Sequence, residues 1–593
     1  MLICLFSNLF FLASDTQAFD STSLNNKFGI HLAVAEREDL IKAAELINSS
    51  GGQWGYVTLV IQENDRDTKK WQVIFDQMRS LKLIPIVRLA TQPQGNVWKT
   101  PSVDDIGGWL DFLQSLNWVV KDRYIVLFNE PNHASEWGGR VDPESYAKIA
   151  YGFAKRLKEK DKNYFVMLAG LDASAPSSLP NYEDEETFLT KMFKSEIRNP
   201  KTETNLNFKN LNFENCLEFR ISCFEFLIDG LASHSYPNPG FQGGPYDKGR
   251  GTVSTYDWEL SYLYGLGVQK NLPVFITETG WPHSENISTQ NNNFPSSSVV
   301  GQNIKAVYEN IWMNDQRVRA VTPFVLNYQT EPFLNFSWKK QGSEDFYDQF
   351  NEVKNINKIK GDPEQIIKAS INIDLPSKIL VSSNYEFKGN IKNTGQSIIN
   401  SANGYKLEIE DLNHRIKSYF FSNIDEIVPN NEGAIDLFMK TSEDEGKETF
   451  SISLYKNNQK ISEKKWKVIF EPLPELEFKV NLFPKLDNSV SDIEIQIFDK
   501  DEKLVFKKSG ITAYKGKAKI ENIKNIYLGG RYRVVLIAPY YLPRQNYMEF
   551  NGNKNNIKFK FLIPLDLNQD GKFGMQDFWS LIKKPGLFSL FKF

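Results

Sequence analysis

The sequence predicts a multi-domain chain: a (β/α)8 TIM barrel, then two β-sandwich-like modules, then a short C-terminal EF-hand-like helical segment. Three observations lead there. From about residue 26 to 345, short apolar runs alternate with segments of helical period. After about Asp362 the apolar residues fall into period two between Asn/Gly turns. Near the end, one loop has the spacing of oxygen ligands around calcium. At 593 residues several domains are expected, because single cores stop growing well below that length.

The first run of residues, Leu2 to Ala13, is apolar, of signal-sequence length and too short to span a bilayer. Ala18, with Thr16 two before it, makes a cleavage site, although no Lys or Arg precedes the run. Residues 1–18 are therefore expected to be a signal peptide, and the chain to be secreted or held at the cell surface. Three cysteines, Cys4, Cys216 and Cys223, exclude a disulfide scaffold, and the last two are either bridged or free. A net charge of -3 gives no electrostatic footprint for nucleic acid or an anionic membrane, and no later stretch reads as a transmembrane span.

Eight apolar runs are the expected strands: Phe28–Val34, Tyr56–Ile61, Leu83–Leu89, Tyr124–Phe128, Phe165–Leu168, Leu227–Ala232, Val274–Thr277 and Val321–Leu326. They are apolar on both faces, as parallel strands covered by helices must be. Between them, Trp71, Ile74, Phe75 and Met78 share one helical face. Tyr146, Ile149, Ala150, Phe153 and Leu157 share another, on a helix that Asp142 caps and Pro143 begins. An open doubly wound sheet has the same β/α pattern. The stretch from Glu183 to Arg220 is polar and irregular, and is expected to be an insertion between strands five and six.

Beyond the barrel, Tyr385, Phe387 and Ile391 alternate with polar residues up to Asn393-Thr394-Gly395, and Asn403-Gly404 leads into a further strand. Residues 365–471 are expected to be an Ig-like β-sandwich. Pro472-Leu473-Pro474 reads as a hinge, and residues 474–562 as a second all-β module, spacer or glycan-binding.

Strand four runs into Asn129-Glu130-Pro131-Asn132 and strand seven into Thr277-Glu278-Thr279-Gly280-Trp281-Pro282. In a barrel these are C-terminal strand ends, where active sites are built. Cleaving a glycosidic bond needs one carboxyl to protonate the leaving oxygen and another to attack the anomeric carbon or activate water. Glu130 and Glu278 converging across the barrel mouth meet that need. Arg88, at the end of strand three, can pair with Glu278 or form a rim salt bridge. His234 and Tyr236 stand at the end of strand six in Ser233-His234-Ser235-Tyr236-Pro237. Trp281, Trp137 and Trp338 are candidates either for stacking on sugar or for the core.

The two motifs resemble those of glycoside hydrolase clan A. Asn129-Glu130-Pro131 looks like the clan's strand-four motif, and Glu278-Thr279-Gly280-Trp281-Pro282 is similar to the strand-seven motif of its β-1,3-glucanase family. The resemblance spans roughly residues 26 to 345. It implies a retaining double displacement with Glu130 as acid/base, Glu278 as nucleophile and carboxyls about 5–5.5 Å apart. It further implies that Asn129 binds the substrate 2-hydroxyl and that Tyr236 hydrogen-bonds the nucleophile. Catalysis would need no cofactor. The clan's strand-eight aromatic has two contenders here, Tyr328 and Trp338.

Asp566, Asn568, Asp570, Gly571, Lys572 (through its carbonyl) and Asp577 follow the EF-hand loop at positions one, three, five, six, seven and twelve, and imply Ca2+. Aspartate at position twelve resembles dockerin modules, which normally carry two such loops. Residues 563–593 are thus expected to be a dockerin-like segment, with a cohesin-like or cell-surface partner. The expected activity is hydrolysis of a polysaccharide or oligosaccharide, a β-glycan above all. A non-catalytic glycan-binding surface protein with a degenerate barrel is the alternative.

Overall fold

The computed structural model describes residues 24–194, 225–285, 293–485 and 487–592. The expected signal segment and all three cysteines lie outside these residues. The chain divides into two compact units, residues 1–366 and 367–593.

In the first unit eight parallel strands follow one another around a barrel. They are β1 (Gly29–Leu32), β2 (Gly55–Gln62), β3 (Leu83–Ala90), β4 (Arg123–Leu127), β5 (Tyr164–Leu168), β6 (Leu231–His234), β7 (Val274–Glu278) and β8 (Val318–Val321). Ladders join β1 through β5 in order and β6 through β8 in order. Parallel bridges Met167–Gly230 and Phe28–Val321 join the two arcs, which closes the ring and excludes an open sheet. Gly29 permits one seam: a Cβ there would stand 2.6 Å from both the Thr322 side chain and the Tyr56 carbonyl.

Helices flank the strands: α1 (Arg37–Ile47), α2 (Thr68–Ser80), α3 (Ile106–Ser115), α4 (Pro143–Lys160), α5 (Glu185–Lys194), α6 (Thr255–Leu266), α7 (Ser297–Val307) and α8 (Asp348–Lys354). The α4 cap forms as its sequence dictates, with the Asp142 carboxylate accepting from Ser145 N and Pro143 at the first position. Two strands are displaced from their expected positions. β6 starts at Leu231 instead of Leu227, and β8 ends at Val321, before Pro323, instead of beginning there. The stretch expected to be irregular from Glu183 contains α5, because Phe188, Leu189, Met192 and Phe193 share a buried face.

Inside the barrel, Tyr56, Tyr124, Phe165 and Phe275 from β2, β4, β5 and β7 meet edge to face or tilted, with centroids 5.0–6.1 Å apart. They form a solid floor. At the end of β7 the pairing slips: Ser233 is opposite Ile276, yet His234 is opposite Glu278. Thr277 is the extra residue of a β-bulge, and the bulge turns Glu278 to the same inward side as Phe275. No helix among the described residues is long and apolar enough to cross a membrane.

The second unit is β-rich. Residues 369–471 form two four-stranded sheets. Residues 475–558 form a three-stranded and a four-stranded sheet. The apolar faces of all four join one cluster, running from Ile371 through Phe450 and Leu476 to Leu562. Tyr385 OH donates to Ile526 O (3.2 Å) and Asn384 N to Asn525 Oδ1 (2.9 Å), tying the two sandwiches together. The loop after Leu565 leads into α9 (Met575–Lys583).

Candidate active site

Glu278 leaves β7 buried, with each carboxylate oxygen engaged. Arg88, from the end of β3, pairs through Nη1 with Oε1, and Tyr236 OH donates to Oε2 at 3.0 Å. The same Nη1 donates to Asn129 Oδ1 at 2.6 Å, so the arginine spans strands three, four and seven. Glu130 sits where the backbone is forced into the left-handed region, with φ 27° there and 73° at Phe128. Such conformations persist where the surroundings over-determine them, and they cluster at functional sites. Its N–H donates to Gly170 O at 3.2 Å.

His234 links the two glutamates. Its Nδ1 lies 2.8 Å from Glu130 Oε1 and 3.8 Å from Glu278 Oε2. One ligand-type atom from each of the three residues falls within 4.8 Å of the others, so the carboxylates of β4 and β7 approach across the barrel mouth. Gly170 makes this possible, since a Cβ at that position would lie 2.3 Å from His234 Cδ2. Gly170→Ala is expected to push the ring off both glutamates and to cost about 1–3 kcal/mol of stability as an overpacked site. Thermal denaturation checks this; a Tm equal to the parent's would mean that the ring accommodates the added Cβ without cost.

The electrostatics sort the groups. Burial pushes the Glu278 carboxyl up, but His234, Arg88, His31 and the Tyr236 hydroxyl outweigh it and hold it at about 2. Burial pushes His234 down, yet Glu278 and Glu130 carry it above the ordinary imidazole value. Tyr236 is raised well above its usual value by burial and by Glu278, so it remains a donor. These shifts carry a sign. The depressed Glu278 contributes stability that is present above its unfolded value and lost as pH falls through about 2. The raised His234 contributes stability present below its unfolded value and lost as pH rises through its folded one. Because Glu278 is a cause of both shifts, Glu278→Gln is expected to flatten both limbs of a Tm–pH curve. Limbs as steep as those of the parent would contradict the pairing.

Two residues of this site were missed in the sequence. His31 of β1 is buried with its Nε2 3.6 Å from Glu278 Oε1, and neither ring nitrogen has a hydrogen-bond partner. Burial first, with Arg88 and His234, lowers it to about 3, so the ring is neutral. Glu136, in the 3-10 turn Ala134–Glu136, is within hydrogen-bonding reach of the Asn129 side chain. Burial and the Glu130 charge raise it to about 7. Its signal was an acid six residues past Glu130.

The tryptophans require a correction. Trp281, expected to bind substrate, is 3% exposed, packs in the barrel core and donates its indole N–H to Gly243 O at 2.9 Å. Trp137 and Trp338 are equally enclosed, so none of the three offers a ring face to a sugar. Phe324, just past β8, meets the His31 ring at 5.1 Å between centroids, while Tyr328 packs against Phe333.

Far along the chain, in the second unit, the loop with calcium-type spacing holds its side-chain oxygens on backbone N–H groups. Asp566 Oδ2 accepts from Gly571 N (3.1 Å) and Asp570 Oδ1 from Lys572 N (2.9 Å). Asn568 Oδ1 accepts from Asp570 N (3.2 Å). Asp577 accepts from the N–H groups of Leu567, Asn568 and Gly574. Asp566 Oδ1 is buried without a partner, and burial raises that carboxyl. The charges of Asp570 and Asp577 add to that rise, but the three carboxylates are not drawn together as a closed ligand set.

No family model and no curated protein matches the chain. Among solved structures, it is similar to a β-mannanase from Thermomonospora fusca, at 11% identity over 57% of this chain and 90% of that one, with a TM-score of 0.34. A family 39 glycoside hydrolase from Bacteroides cellulosilyticus WH2 is similar at 10% identity over 70% and 81%, with a TM-score of 0.36. An endo-β-1,4-glucanase from Xanthomonas axonopodis pv. citri is similar at 9% identity over 55% and 97%, with a TM-score of 0.33. At such scores the barrel assignment rests on the strand order and its closing bridges.

Proposed function

We propose that the chain is a retaining glycoside hydrolase acting on a polysaccharide or oligosaccharide, a β-glycan above all. The observation that carries this reading is the approach of Glu130 and Glu278, with oxygens of both within 4.8 Å of each other and of His234 Nδ1. Retaining enzymes hold their carboxyls about 5–5.5 Å apart, whereas inverting ones leave about 6.5–9.5 Å for a water. Glu278, held ionised by Arg88 and Tyr236, attacks the anomeric carbon and forms a glycosyl ester. Glu130 gives its proton to the leaving oxygen, then takes one from the water that cleaves the ester. His234, with Nδ1 2.8 Å from Glu130 Oε1, holds that carboxyl in place. Asn129, fixed by Arg88, is set to meet a sugar hydroxyl. The double displacement uses no cofactor. Incubation with a panel of β-glycans is expected to release reducing sugar whose first-formed anomer is β by NMR. An inverted anomer would overturn the mechanism, and no release from any glycan by a folded sample would overturn the reading.

We propose also that Asp566, Asn568, Asp570, the Lys572 carbonyl and Asp577 hold Ca2+, which would draw together and neutralise the loop's carboxylates and stiffen it. Phe578, Trp579 and Ile582 of α9 are all more than half exposed, and would be where a cohesin-like or cell-surface partner attaches to a secreted chain. Chelation is expected to speed proteolysis near Asp566 while leaving turnover unchanged. Loss of turnover, restored by Ca2+, would place a required metal in the barrel.

A further inference from the structure

We propose that Glu130, His234 and Glu278 form a binding site for a divalent transition-metal ion of the zinc or copper type, and that the bound ion shuts the catalytic pair. The inhibitory half rests on the hydrolase reading; the binding half does not. The three ligand atoms already lie within 4.8 Å of one another, with His234 Nδ1 2.8 Å from Glu130 Oε1 and 3.8 Å from Glu278 Oε2. Ligands of a tetrahedral zinc, at bond lengths of about 2.0–2.1 Å, stand about 3.3 Å apart, so small side-chain shifts complete three corners. Glu130 is the most exposed of the three, so the fourth corner would face solvent on its side.

The site is built rather than incidental. Gly170 admits the His234 ring, the Glu130 backbone is fixed in an unfavourable conformation, and Tyr236 and Arg88 hold Glu278. Arg88 engages Oε1, so the ion would meet Glu278 through Oε2, on the lone pair that the Tyr236 hydroxyl leaves free. A second observation points the same way. The buried His31 has two ring nitrogens without hydrogen-bond partners, one of them 3.6 Å from Glu278 Oε1. Both nitrogens of that buried ring are left unused by the catalytic pair, although the ring stands beside a carboxylate of the proposed site. One imidazole and two carboxylates, closely spaced, suit zinc or copper; calcium and magnesium require more oxygens at wider or octahedral spacing. With the ion in place Glu130 has no proton to give, and Glu278 Oε2 is no longer free to attack.

The test is calorimetric titration of the full chain with ZnCl2, in excess Ca2+ so that any oxygen-ligand site in the tail is filled. Saturable binding at one site is expected, weakened in His234→Gln and in Glu130→Gln by more than the ~10–100-fold that even outer partners of a metal contribute. MgCl2 should give no binding. Parental melting temperatures identify variants that fold, and Glu130→Gln, at the rim, serves if His234→Gln does not. Absent binding, or binding unchanged in the folded variants, overturns the site. Turnover persisting at saturating zinc overturns the inhibition. Zinc binding by a chain that releases no sugar keeps the site and overturns the hydrolase reading instead.

Discussion

Glu278→Gln is expected to lower kcat by more than about 10⁴-fold while the barrel stays folded. The amide keeps nearly the shape of the carboxylate, and its oxygen still accepts from Arg88. It cannot form the glycosyl ester, because a neutral amide is not a nucleophile toward the anomeric carbon. Stability should fall at neutral pH without loss of the fold, because the pairing with His234, Arg88 and Tyr236 that holds Glu278 at about 2 outweighs the cost of burying the ion and is lost in the amide. Circular dichroism and thermal denaturation establish the fold, and single-turnover kinetics the chemistry. Substantial residual turnover in a folded variant would remove Glu278 from the nucleophile's place.

The ring of strands was legible because parallel strands covered by helices are apolar on both faces, and six of the eight runs coincide with strands. The other two misled for physical reasons. β8 carries Arg319 among its four residues, while the more apolar run after it lies beyond Pro323. The run at Leu227 is apolar because it is buried before the strand begins. The two glutamates could be read because a carboxylate directly after an apolar strand has few structural reasons to be there. His31 had the opposite appearance: a lone histidine within Gly29–Leu32 looks like core, and only the fold shows it beside a carboxylate. What joined Glu130 to Glu278 was least legible of all. It depends on a missing Cβ at Gly170 and on one extra residue, Thr277, in the ladder of β7. The same local geometry explains why Trp281, three residues after Glu278, is buried: Gly280 takes φ 132° and the chain turns the indole into the core.

Glu130→Ala is expected to divide substrates by their leaving groups. Proton donation contributes typically about 10²–10⁴-fold, so natural glycans with alkoxide leaving groups should lose that much in kcat/KM. Activated aryl glycosides leave without help and should be cleaved to the glycosyl-enzyme at nearly the parental rate, then accumulate there, since no base remains to activate water. The deletion opens space at the rim, against His234 Nδ1, which loses its partner at 2.8 Å. A small anion can enter that space. Azide should therefore restore turnover by attacking the ester from the face Glu130 vacated, and a β-glycoside should yield a β-glycosyl azide. This outcome depends on the carboxyls lying on opposite faces of the bound sugar, the arrangement their origin on β4 and β7 provides. Equal losses on both kinds of substrate, with no azide product, would mean that Glu130 is not the acid.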